Sequence, residues 1–224
     1  MPNWVNNNII IKGKNELIEQ FLSDAQKDQN GHLSFSSWIP IPETFLKYDT
    51  TNYPNGEGLV IGEKIPFKDD SPIVTEELIE EYKAATKLQQ EQYGVVGWYD
   101  YNYFTFGCKW NCQIDIEGKT DGELSLYCET PWGSPSFFIS NVSEQYPELL
   151  FNVTSDSIDN GTYYDYFVKR GCVIIIRMAE YEYDGDLGIY KLNNYEEISP
   201  CNENEGLFIE AFGGRDKVPP MKGV

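Results

Sequence analysis

This chain reads as an α+β protein, and three observations carry that expectation. A β-branched run from Val5 to Lys12 passes at once into an amphipathic helical stripe. A polar turn signal, Lys119-Thr-Asp-Gly122, sits between two alternating segments, and a second helical stripe after Ser134-Pro135 runs into another short strand. The resulting order of strand, helix, hairpin, helix, strand is the ferredoxin-like βαββαβ arrangement, an antiparallel sheet with two helices on one face.

Each element has its own local reason. Ile9-Ile10-Ile11 marks a central strand that stops at Gly13. From Asn15, the residues Leu17, Ile18, Phe21, Leu22 and Ala25 form one helical stripe, which the sequence carries towards Asn30-Gly31. Leu33 to Trp38 alternates as a short strand, closed by the prolines of Ile39-Pro-Ile-Pro42. A helix is expected from Thr75, its N-cap, through Leu78, Ile79 and Tyr82 to Tyr93-Gly94. Cys112–Glu117 and Glu123–Glu129 form the hairpin, Phe138, Val142 and Tyr146 the second helix, and Leu149–Thr154 the strand after it. Tyr163–Val168, Val173–Met178 and Leu187–Tyr190 extend the sheet. The expected organisation is a single domain over 1–224. Its core comprises 1–32 and 94–155, with an insertion at 33–93, a β extension at 156–212 and a tail at 213–224.

At 224 residues, with 41% hydrophobic and 15% aromatic content, the chain has enough apolar material for a core of its own. Seventeen Lys and Arg against 36 Asp and Glu give a net charge of −19, which opposes phosphate backbones and argues against nucleic-acid binding. Residues 180–210 alone hold nine acids and one lysine. Five cysteines behind a polar N-terminus point to a reducing cytoplasm, and no apolar run reaches the ~20 residues of a membrane span. Cys108 and Cys112 lack finger-like companions, so no metal is expected. With His32 as the single histidine and no phosphate-binding glycine loop, the sequence points to no cofactor and gives no nucleophile–base pair.

The densest stretch is Tyr93 to Trp110. Seven of the thirteen residues from Trp98 to Trp110 are aromatic, with Asp100 and Lys109 as the only charges. Together with Met1-Pro-Asn-Trp-Val-Asn-Asn7 and Glu129-Thr-Pro-Trp-Gly-Ser-Pro135, this stretch resembles the YubB-like ferredoxin-like family of phage and plasmid proteins. Family members usually read Trp where Tyr101 and Phe106 stand, and Thr where Cys108 stands. The resemblance covers roughly residues 1–155 and implies the fold and carriage on a mobile element, without supplying a reaction. Such carriage makes interference with a host or defence protein the expected class of function.

Trp98, Asp100, Lys109, Trp110, Glu129 and Trp132 form the candidate constellation: one lysine and two carboxylates among indoles. They serve equally well as core with an internal ion pair or as a binding site. The leading expectation is a non-enzymatic acidic protein that binds a basic surface on a host or defence protein. The alternative is a small-ligand binder or enzyme using Asp100, Lys109 and Glu129 within a tryptophan-lined site.

Overall fold

Strand β1, Trp4–Lys12, lies at the centre of the molecule's main sheet. The computed structural model describes residues 2–66, 71–184, 189–198 and 211. Contacts divide the chain into two compact units, one of Met1–Ile39 with Phe106–Val224 and one of Pro40–Thr105.

In the first unit, β1 leads to α1, Asn15–Asp24, and the short β2, Leu33–Ser34. After the inserted unit come β3 (Gln113–Thr120), β4 (Glu123–Pro131), α5 (Ser136–Gln145) and β5 (Leu150–Ser157). The remaining strands are β6 (Thr162–Lys169), β7 (Cys172–Asp184) and β8 (Ile189–Ile198). The sheet order is β2-β3-β4-β1-β5-β6-β7-β8, with every pair antiparallel. Within it, β3-β4-β1-β5 is the ferredoxin-like order, so the fold read from the sequence is the one observed. The 6–7 hairpin turns at Arg170 and Gly171, both with positive φ, as a two-residue primed turn requires.

β1 turns Val5, Asn7, Ile9 and Ile11 to the helices, and all four are buried. α1 inserts Ile18 and Phe21; the Phe21 ring stacks on Trp38 at 4.8 Å and meets Tyr146 and Phe151 edge-on at 5.1 and 6.1 Å. α5 contributes Phe138, Ile139 and Val142, with Phe138 stacked on Phe35 at 4.3 Å.

Two local expectations are corrected. α1 stops at Asp24 rather than near Gly31, because Ala25 is extended and the Gln26 N–H donates to the Ser37 carbonyl in place of the helix ladder. Only Leu33 and Ser34 are strand; Phe35–Ser37 is a 3₁₀ turn in which Ser34 and Ser37 cap each other.

The second unit contains α2 (Glu43–Lys47), α3 (Glu76–Tyr93) and α4 (Trp98–Phe106) up to Thr105. It begins at Pro40, later than the expected residue 33, because Leu33 pairs with Ile114 of β3 and Phe35 packs on Phe106 and Phe138. It also runs past residue 93. α3 has the expected ends, with the Thr75 hydroxyl accepting from the Leu78 N–H and Gly94 closing it at φ 72°. The chain then folds back, so that Phe45 stacks on Tyr101 at 4.4 Å and the Gly97 N–H donates to Gln89 Oε1 at 3.0 Å. Gln89 is fully buried; it also accepts from the Thr50 hydroxyl and donates to the Thr44 carbonyl. The expected tail at 213–224 and Cys201 lie outside the described residues.

Gly97 has φ +85°, and a Cβ there would lie 2.7 Å from the Thr51 backbone. Gly97→Ala therefore combines left-handed strain with a backbone clash, and we expect a loss of more than about 2 kcal/mol in urea unfolding. Gly118→Ala, with open space around it, is the matched control and should shift the midpoint little.

Candidate functional site

The site begins with a polar residue in the core. Asn6-Asn7-Asn8 is a polar run at sequence level, yet strand parity puts Asn7 on the same face as Ile9 and Ile11. Its side chain is completely buried. The amide nitrogen donates to Thr130 Oγ1 at 2.8 Å and to the carbonyls of Val5 and Cys128, while Oδ1 accepts from Ser155 Oγ at 2.7 Å. Ser155 Oγ also lies 2.7 Å from Ser134 Oγ, which is 2.6 Å from the Tyr166 hydroxyl. Thr130 in turn donates to the Gly133 carbonyl at 2.6 Å. Burial pushes the Tyr166 phenol well above its usual range, so it stays neutral within this network.

This network grips both sides of Trp132. The residue sits at φ 62°, a left-handed conformation that costs a non-glycine residue about 1 kcal/mol, and its N–H donates to the Asn3 carbonyl at 2.8 Å. Gly107, at φ +82°, packs flat against the same turn, where a Cβ would stand 3.1 Å from the Ser134 carbonyl.

The indole so presented is 52% exposed and joins two others. Trp4 to Trp110 is 5.7 Å between ring centroids, and Trp110 to Trp132 is 5.9 Å, both tilted. Trp4 is also open, at 43%. Lys109 Nζ lies over Trp110 at 5.5 Å and Trp132 at 6.0 Å, within cation–π range. The loop carrying Trp110 is held from below, where the thiols of Cys108 and Cys112 both contact the Trp110 carbonyl, at 3.3 and 3.4 Å. Their sulfurs are 3.9 Å apart. The Cys108 contact and burial push the Cys112 thiol far up, and burial does the same for Cys128. All three cysteines are buried, and the raised thiols of Cys112 and Cys128 favour a packing role over thiolate chemistry. Among the described residues, no group of three His, Cys, Asp or Glu is arranged to hold a metal.

Two recesses flank this ledge. One, of about 400 Å³, is lined by Trp4, Trp110, Gln113, Asp115, Tyr127 and Glu129. Its carboxylates come from neighbouring strands, since Asp115 pairs directly with Tyr127, two residues before Glu129. The Tyr127 hydroxyl is shared between Asn6 Oδ1 at 2.8 Å and Glu129 Oε1 at 3.2 Å. Gln113 Nε2 donates to Asp115 Oδ1 at 3.2 Å. The other recess, of about 450 Å³, runs from Trp132 past Ser134 and Tyr164 to Ile176 and Met178, and is mostly apolar.

Of the residues singled out from sequence, Lys109, Trp110 and Trp132 are brought together on the ledge, and Glu129 lines the recess beside Trp110. Trp98 and Asp100 belong to the second unit, at the start of α4, where Trp98 meets Tyr99 edge-on at 6.0 Å and Asp100 is exposed. Trp4, Asn7, Asp115 and Tyr127 were not among the candidates. Parity with Ile9 and Ile11 was the available signal for Asn7, and the opposite parity for Trp4; Asp115 and Tyr127 carry no local mark.

No family model matches this chain, and no curated protein matches it. Among solved structures, the crystal structure of the protein api92 from Yersinia pseudotuberculosis, of family DUF1281, aligns with a TM-score of 0.45 at 10% identity, over 81% of this chain and 99% of that one. The ferredoxin-like assignment stands on the strand order itself. Among the described residues, no helix is long and apolar enough to cross a membrane.

Two outcomes test the site's construction. Asn7→Ala takes one partner each from Thr130, Ser155 and two carbonyls in the core and leaves a void, and we expect a loss of about 2 kcal/mol by urea unfolding, with a red-shifted tryptophan emission as the ledge loosens. Burial, then the Glu129 hydrogen bond, pushes the Tyr127 phenol from its ordinary 10.0 up to about 12. A raised folded-state pKa contributes stability that is complete below pH 10.0 and lost as pH approaches about 12. Tyr127→Phe should therefore flatten, though not abolish, the alkaline fall in stability followed by circular dichroism, because burial also raises Tyr146 and Tyr166.

Proposed function

We propose that this chain is a non-enzymatic binding protein of a phage or plasmid, of the YubB-like kind its motifs resemble, and that it covers a basic surface on a host or defence protein. The carrying observation is the indole ledge of Trp4, Trp110 and Trp132. Two of its rings are about half exposed, yet a network rooted in the fully buried Asn7 and Thr130 anchors the backbone beneath Trp132. Large aromatic surfaces held rigid and open to water are the usual anchors of protein interfaces. The net charge of −19 supports the sign of the partner, because complementary fields speed encounter and select among surfaces.

A second reading, small-ligand binding, is favoured by the apolar recess between Trp132 and Met178, whose ~450 Å³ falls in the size range of ligand pockets. Ligand-induced thermal stabilisation that disappears in Trp132→Gly, which removes one wall of that recess, with folding retained, would move the assignment to that reading.

The test is capture of a binding protein from bacterial lysate by the tagged chain, at low and at high salt, read by mass spectrometry. We expect one stoichiometric basic protein, released by salt. Trp4→Ala combined with Trp132→Gly should weaken its capture tenfold or more, roughly, without unfolding the chain, since both rings are exposed and glycine suits the left-handed position. Salt-insensitive capture, or capture that ignores both tryptophans, would overturn the reading.

A further inference from the structure

The recess between Trp4, Trp110 and Tyr127 has the composition of a cation site, and its details favour one cation over another. Asp115, Glu117 and Glu129 gather on the same outer surface of β3 and β4 as Tyr127, and none of the three forms an ion pair with a lysine or arginine among the described residues. The charges that line the recess are the Asp115 and Glu129 carboxylates; Lys109 lies on the Trp132 side of Trp110 and is not part of its wall. Each lining carboxylate has one oxygen engaged by a neutral neighbour, Gln113 on Asp115 Oδ1 and Tyr127 on Glu129 Oε1, which leaves the second oxygen to a ligand. Trp4, Trp110 and Tyr127 supply aromatic surface to the lining, and the volume of about 400 Å³ takes a side chain rather than a whole cofactor.

We infer that this recess binds the guanidinium group of an arginine side chain, and that this arginine is the anchor by which the basic protein of the preceding section is held; the second clause rests on that reading, the first does not. A guanidinium is planar, stacks on indole and phenol faces, sheds water more readily than an ammonium, and presents enough N–H donors to reach both carboxylates at once. A lysine ammonium satisfies the charge, but it neither stacks nor spans two carboxylates with a flat edge. The long-range field of the chain does not distinguish the two, so a preference for arginine is the signature of the recess itself.

Hexa-arginine and hexa-lysine peptides of equal charge, titrated into the full chain, make that separation. Trp4 and Trp110 line the recess, so tryptophan emission reports occupancy. We expect hexa-arginine to bind at least about fivefold tighter than hexa-lysine. In the Asp115→Asn, Glu129→Gln double variant, which keeps the shape and the Gln113 and Tyr127 contacts, the two peptides should bind alike and more weakly. Equal affinities in the unsubstituted chain, or an arginine preference untouched by the double variant, would overturn the proposal. Protein capture from lysate is scored separately. Capture that persists in the double variant would keep the basic-partner reading and discard the arginine anchor, and an arginine preference without any captured protein would do the reverse.

Discussion

The hydrogen bonds of Asn7 are the constraint on which the rest of the first unit depends. An amide without water contact in a central strand is tolerated only if its donors and acceptor are met, and here the answering groups come from β1 itself, β4 and β5, with Ser155 passing on to Ser134 in the turn before α5. Apolar side chains at these positions would fill the same space and keep the same face buried, but would not require particular partners. The polar set admits one arrangement, because sliding β1 by a residue against β4 or β5 would leave several buried groups unmet. Fixing that register also fixes where the Trp132 turn leaves the sheet.

The consequence reaches the surface. Trp132 occupies a backbone region unfavourable to any residue but glycine, and the grip of Thr130 on Gly133 and of Asn3 on the Trp132 N–H holds it there. Trp110 is set from the other side by two thiols on its carbonyl, and Trp4 follows from the parity of β1. Three indoles delivered by three separate segments thus share one ledge, bordered by carboxylates on one flank and an apolar hollow on the other. Local charge and local shape answer different questions here. In the proposed binding, the acidic field would select the sign of what approaches and the aromatic recess its chemistry.

The second unit is built on a similar device. Gln89, fully buried on α3, joins the 44–50 segment to the Gly97 turn by bonds to Thr44, Thr50 and Gly97, so the helix and the chain on either side of it close on one amide. Around Tyr82 the same unit gathers Ile65 and Val74 with flanking tyrosines into a small aromatic core. In both units one buried amide supplies specificity that apolar packing alone leaves open.

The amino-acid sequence by itself determined what neighbours in the chain control. Ile9 to Ile11 made a central strand, Thr75 and Gly94 bounded α3, the Lys119–Gly122 turn made a hairpin, and their order dictated a ferredoxin-like sheet, because period, caps and turns are properties of a few adjacent residues. The tertiary structure alone decided which groups of β4 and β5 answer Asn7, that the second unit runs from Pro40 to Thr105, and that Asp115 and Tyr127 share a recess with Trp4 and Trp110. Those facts turn on long-range pairings. β4 must lie beside β1 and, after the shift between Ile116 and Gly118, in one register against β3 before the two carboxylates and the phenol meet. No local signal carries that information, since the energy that selects the register is spread over residues more than a hundred positions apart, as the Asn7 to Thr130 bond shows.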